Sequence, residues 1–196
     1  MNVSRETIAR LEDFCALLLK WNQRINLISK SNEGDIWPRH VADSMQLYSL
    51  GGDADQWADL GSGGGFPGIV LAIIAKEYHP ERRFSLVESD GRKCAFLREA
   101  ARNADANVIV INQRIEDTPP LNADILSARA LTSLDGLLGF TTLHRNENGV
   151  SLFPKGLRYQ QEMTDAQKSW HFEPTIHQSS TDPQGVIVEI RNVSNV

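Results

Sequence analysis

Cysteine is scarce in this chain, and long apolar runs are missing. Two cysteines occur in 196 residues. Both, Cys15 and Cys94, fall in helical patterns, so they read as small core residues rather than a disulfide framework or a metal pair. No run of about eighteen apolar residues exists, so no membrane-spanning helix is expected. The N-terminus lacks a basic start followed by an apolar stretch, which argues against a secretory leader. His79, His144, His171 and His177 show no metal-ligand spacing, so no metal site is expected. Positive charge is in short supply too. The 20 Lys and Arg against 25 Asp and Glu give a formal net charge of −5. That balance argues against avid, nonspecific binding of bare nucleic acid and leaves room only for a local basic face.

What is present is a core-forming composition, 41% hydrophobic, with alternating strand and helix patterns. Residues 1–52 read as a helical cap. Ser4 is a candidate N-cap, and Ile8, Leu11, Cys15 and Leu18 form a stripe that Leu17 and Trp21 widen. Residues 53–196 read as an α/β core. Strands are expected at 57–60, 84–88, 107–111, 124–127 and 149–153, with helices at 67–78, 91–104, 133–144 and 156–168. Two closing strands, 170–177 and 185–191, have no helix between them. The expected fold is therefore one compact domain: a mostly parallel sheet covered on both faces, with an antiparallel hairpin at its C-terminal edge.

The stretch Trp57-Ala58-Asp59-Leu60-Gly61-Ser62-Gly63-Gly64-Gly65-Phe66-Pro67-Gly68 carries the most information. It reads as strand, glycine turn and helix start, with five glycines in eight residues. Free N–H groups at such a helix start suit an electron-rich ligand. Open α/β sheets bind ligands at the carboxyl ends of their strands. Asp59 and the glycine loop end the first strand. Glu88 ends the second, where an acid can accept hydrogen bonds from ribose hydroxyls. Gln113-Arg114-Ile115-Glu116 follows the third, Ser127-Ala128-Arg129-Ala130 the fourth, and Lys155-Gly156 the fifth. The loop literally satisfies the dinucleotide pattern G-x-G-x-x-G, which by itself is weak and leaves an NAD(P)-dependent oxidoreductase open. A non-catalytic cofactor-binding module also remains open.

Asp59-x-Gly61-x-Gly63-x-Gly65 resembles the first motif of class I methyltransferases, a Rossmann-like fold that uses S-adenosylmethionine. The longer stretch Asp59–Gly68 resembles the signature of the RsmG (GidB) family, small-subunit ribosomal RNA guanine-N7 methyltransferases. Trp21-Asn22 with Asn26-Leu27, Trp37 with Arg39-His40-Val41-Ala42-Asp43-Ser44, and Glu88-Ser89-Asp90-Gly91-Arg92-Lys93 also resemble motifs of that family. So do Arg114-Ile115-Glu116, Ser127-Ala128-Arg129-Ala130 and Lys155-Gly156. The resemblance spans about residues 10 to 160. It departs at Glu88, where aspartate is usual, at Ile115, where a smaller residue is usual, and at Pro154, where leucine is common.

The resemblance implies cytoplasmic methylation of guanine N7 in 16S ribosomal RNA, as free RNA or in a ribosomal particle. Asp59, Gly61, Gly63 and Phe66 would border the cofactor, with Glu88 at its ribose. Ile115 and Glu116 would lie near its adenine, and Arg129 nearby. His40 and Lys155 are candidate substrate contacts; a hydrogen-bonded His40–Asp43 pair and a structural Lys155 remain the competing readings. Guanine N7 has a lone pair and no proton, so no general base and no catalytic triad are expected.

Overall fold

The computed structural model describes residues 2–196. Its center is a seven-stranded sheet in the order β3-β2-β1-β4-β5-β7-β6. The strands are β1 (Gln56–Leu60), β2 (Arg83–Val87), β3 (Val108–Ile111), β4 (Ala123–Ala128), β5 (Arg145–Lys155), β6 (Trp170–Gln178) and β7 (Val186–Asn195). The first five pair in parallel. The closing hairpin is antiparallel, as expected, but β7 lies inside it, between β5 and the edge strand β6.

Residues alternate between the two faces because successive strand side chains point opposite ways. Trp57, Phe84, Leu86, Ile125, Leu152 and Ile187 enter one core. Ala58, Leu60, Val87, Leu126, Phe153 and Val188 enter the other. Helices α1 (Arg5–Asn22), α2 (Asp43–Tyr48), α3 (Gly68–Tyr78) and α4 (Gly91–Asn103) cover the first face. Helices α5 (Leu134–His144) and α6 (Tyr159–Ala166) cover the second. The N-terminal helices share the core of α3 and α4 directly, so the cap has no separate interior.

Ser4 caps α1, accepting the Thr7 backbone N–H at 3.1 Å. The buried stripe of α1 is Thr7, Leu11, Phe14, Leu18 and Asn22. It is rotated from the expected one: Ile8 is exposed and Cys15 only half-buried. Thr7 goes inward because its hydroxyl donates to Glu77 Oε2 at 2.6 Å. Asn22 goes inward because its Oδ1 accepts the backbone N–H groups of Leu27 and Ile28 at 2.9 and 3.0 Å. Polar residues with fixed partners thus displaced apolar ones from the stripe. Within the expected helical cap, a wider π turn at Trp37–Ala42 precedes α2. No helix among the described residues is long and apolar enough to cross a membrane.

Candidate cofactor site

The strand order reverses between β1 and β4, which both start from the middle of the parallel sheet. Such a switch point opens a crevice at the carboxyl ends of the strands. A cavity of about 450 Å³ lies there. Gly61 and Gly63 from the loop after β1 line it, with Glu88 after β2, Ile115 and Glu116 after β3, and Arg129 after β4. Six of the eight residues expected at the cofactor therefore meet on one wall system. Lys93, Gln113, Arg114, Leu131, Thr132 and Phe140 join them.

The loop needs its glycines for backbone reasons. Gly61 and Gly65 have φ of +66° and +85°. A Cβ on Gly65 would stand 2.9 Å from Ile69 Cγ1 and 3.1 Å from the Phe14 ring. Glu88 ties the loop to β2. Its Oε2 accepts the Gly63 N–H at 3.0 Å and its Oε1 accepts the Asp90 N–H at 2.8 Å. Each carboxylate oxygen can take a further hydrogen bond, so Glu88 can hold the loop and still face a polyol. Ile115 is fixed from below by His144, whose Nε2 lies 3.0 Å from the Ile115 carbonyl.

Two expected cofactor contacts are placed differently. Asp59 does not line the cavity; it is completely buried. Its Oδ1 accepts the Ser127 hydroxyl at 2.7 Å, and its Oδ2 accepts the Gly68 N–H at 3.3 Å. Trp57 Nε1 donates in turn to Ser127 Oγ at 2.9 Å. The electron-rich partner at the start of α3 is thus Asp59 itself, not a ligand, and Asp59 supports the loop from beneath. Burial pushes its carboxyl up to about 6, against the downward pull of the Ser127 and Gly68 hydrogen bonds. Phe66 also lies outside the cavity lining. Its ring packs edge-on against Phe14 at 5.3 Å and against His40 at 4.9 Å, and the Arg129 guanidinium sits 5.2 Å from its center. Sequence alone shows an aromatic ring beside a glycine loop; it does not show which side of the loop the ring takes.

Arg129 is the hinge of the region. Its Nη1 donates to Asp43 Oδ2 at 3.3 Å and to the Arg39 carbonyl at 3.4 Å. Asp43 Oδ1 also accepts from Gln46 at 2.8 Å and from the Thr181 hydroxyl at 3.0 Å. The N-terminal helices and the loop before β7 are thereby joined beside Arg129. His40 is not bonded to Asp43. Both its ring nitrogens are buried without a partner. Burial holds the ring down at about 4, with the Arg129 charge adding to the effect and Asp43 opposing it. His40 borders a separate pocket with Arg39, Asp43 and Thr181. Lys155 lines a second cavity next to the first and pairs with Glu162 at 2.7 Å.

Phe140 and Glu162 carried no sequence signal. In sequence Phe140 is one apolar residue among several in Leu134–His144, and Glu162 one acid in the polar stretch Tyr159–Ala166. No group of three or more His, Cys, Asp or Glu among the described residues is arranged to hold a metal ion.

Comparison with known proteins bears on the fold and the family. The GidB family model, described as rRNA small subunit methyltransferase G, matches residues 7–188. A Ruegeria pomeroyi protein named Ribosomal RNA small subunit methyltransferase G is 52% identical over 196 residues, covering 100% of this chain and 96% of its own length. Among solved structures, a SAM dependent methyltransferase from Aquifex aeolicus matches with a TM-score of 0.61 at 11% identity, over 90% of this chain and 97% of that one. MtNAS in complex with S-adenosylmethionine matches with a TM-score of 0.62 at 13% identity, over 95% of this chain and 76% of that one. The structural likenesses establish the class I Rossmann-like fold, and the sequence matches go further: the chain belongs to the GidB family, rRNA small subunit methyltransferase G.

Proposed function

We propose that this chain transfers a methyl group from S-adenosylmethionine to N7 of a guanine in small-subunit, 16S ribosomal RNA. The observation that carries the reading is the cavity at the strand switch point, lined by Gly61, Gly63, Glu88, Ile115, Glu116 and Arg129, in a chain of this family. The residues fit the cofactor. A backbone-lined loop leaves room for close approach, and Glu88 keeps acceptor capacity for ribose hydroxyls. Ile115 offers an apolar edge with fixed backbone for adenine, and Glu116 an acceptor for its amino group.

When bound, S-adenosylmethionine supplies an electrophilic methyl on a sulfonium center. The protein's part is to hold donor and acceptor in line; such positioning contributes about 7–11 kcal/mol in well-oriented systems. N7 carries its own lone pair, so no side chain has to remove a proton. Positive charge passes to the base on transfer, and a bare cation beside N7 would oppose that. Asp43, paired to Arg129, offsets that cation. Asp59, buried below the loop with both oxygens hydrogen-bonded to the protein, acts by support rather than contact.

The acidic balance favors a folded ribosomal particle over free RNA as substrate, because shape and local contacts then replace global charge. The site of action is accordingly the cytoplasm. Thermal stabilization by S-adenosylmethionine or its demethylated product, and not by NAD, is the expected result; a shift with NAD alone contradicts the assignment.

A further inference from the structure

A second cavity, of about 340 Å³, adjoins the cofactor cavity. The two share Arg129, Ala130 and Thr132 as a common wall. Leu137, Pro154 and Val186 give the second cavity apolar surface, and Lys155 and Glu162 give it a charged pair. Lys155 comes from the end of β5 and Glu162 from α6. The Lys155 side chain is only 9% exposed, so the pair is part of the cavity wall rather than a free surface contact.

The pair is incompletely used by the protein. Lys155 Nζ donates to Glu162 Oε2 at 2.7 Å and to the Thr132 carbonyl at 3.2 Å. An ammonium has three donors, so one remains. Glu162 Oε2 also accepts the Leu134 N–H at 3.0 Å. Its Oε1 takes no hydrogen bond among the described residues. A free donor and a free acceptor thus stand side by side in a cavity that abuts the methyl-donor site.

We propose that this cavity receives the target guanine and that the Lys155–Glu162 pair reads its Watson–Crick edge. The inference rests on the guanine-N7 reading above and names the residues that select the base. Guanine places the O6 acceptor next to the N1–H and N2–H donors. Lys155 meets O6, and Glu162 Oε1 meets the donors. Adenine presents a donor at N6 and an acceptor at N1, the opposite order, so it faces like with like. Apolar side chains can flank the ring, as in other enzymes that read an extruded base. Holding this edge leaves N7 free, as methyl transfer requires, and directs it toward the wall shared with the cofactor.

The test uses the full chain and small subunits from a strain lacking this methylation. Labeled methyl transfer is measured for wild type and Glu162→Gln, with S-adenosylmethionine affinity measured separately. Gln keeps the size but turns an acceptor into a donor toward the base. The expected result is a transfer rate at least tenfold lower with cofactor affinity within twofold of wild type. An unchanged rate, or a loss that follows cofactor affinity, overturns the proposal. A second measurement compares guanosine and adenosine monophosphates as inhibitors of the cofactor-loaded wild type, and decides the matter if the variant does not fold. Stronger inhibition by the guanosine nucleotide is expected; no preference overturns the proposal. If wild type transfers methyl to another base or to no RNA, the proposed function fails instead, which separates the two outcomes.

Discussion

Glu88 holds the fold with both oxygens and keeps acceptor capacity toward the cavity. Its two oxygens each accept one backbone N–H, from Gly63 and Asp90, and so fix the glycine loop against the end of β2. Glu88→Ala removes both bonds and the acceptor proposed for ribose. Hydrogen bonds to a charged group are worth about 1.5–3 kcal/mol each, so cofactor affinity should fall at least tenfold by calorimetric titration. Unaltered affinity would place the ribose elsewhere. His40 yields a pH prediction. Its ordinary value is 6.5 and its folded value about 4, so between these the unfolded chain binds the extra proton. Stability held by the neutral ring is therefore lost as pH falls from 6.5 toward 4. His40→Phe keeps the ring against Phe66 and removes the titration, so its stability relative to wild type should rise across that window in urea unfolding. Parallel curves would show that His40 is freely protonated in the fold.

At the scale of elements, the glycine loop is the part that sequence reveals best and the part it partly misdirects. The strand–turn–helix order, the acid after β2 and the Ile115-Glu116 pair after β3 were all legible. Side-chain type and strand-end position are enough to put those residues in one crevice. The direction of Asp59 and Phe66 was not legible, because it depends on Ser127, Trp57, Phe14 and His40, which come from distant elements. The stripe of α1 was misread for a similar reason: Thr7 and Asn22 are buried by partners at Glu77 and at the Leu27–Ile28 turn. The loop prediction follows from its geometry. Gly65→Ala forces a left-handed φ on a residue with a Cβ and a contact with Ile69 and Phe14. Strain of that kind costs about 1–3 kcal/mol, so the melting temperature should drop and cofactor affinity with it. A wild-type melting temperature would contradict the φ and contacts described.

Across the whole molecule, the helical cap and the sheet are joined by a shared interior. Phe14 of α1 touches both Phe66 of the loop and Phe96 of α4. Phe14→Ala should cost about 3–5 kcal/mol. Hydrogen-exchange protection of the α1 amides and of the β1 and β4 amides should be lost together as urea is raised. Two separate transitions would show that residues 1–52 fold as a unit of their own. The net charge of −5 belongs to this scale as well. A chain so poor in cations should methylate small-subunit particles faster than deproteinized RNA at matched salt, and equal rates would count against a particle substrate.

The central claim is the transfer itself, and the most direct test is nucleoside mass analysis. Small subunits from a strain lacking this methylation are incubated with the protein and methyl-labeled S-adenosylmethionine, and their RNA is digested. The predicted result is label in 7-methylguanosine and in no other nucleoside. Label in any other nucleoside, or none with a folded and cofactor-bound protein, would contradict it.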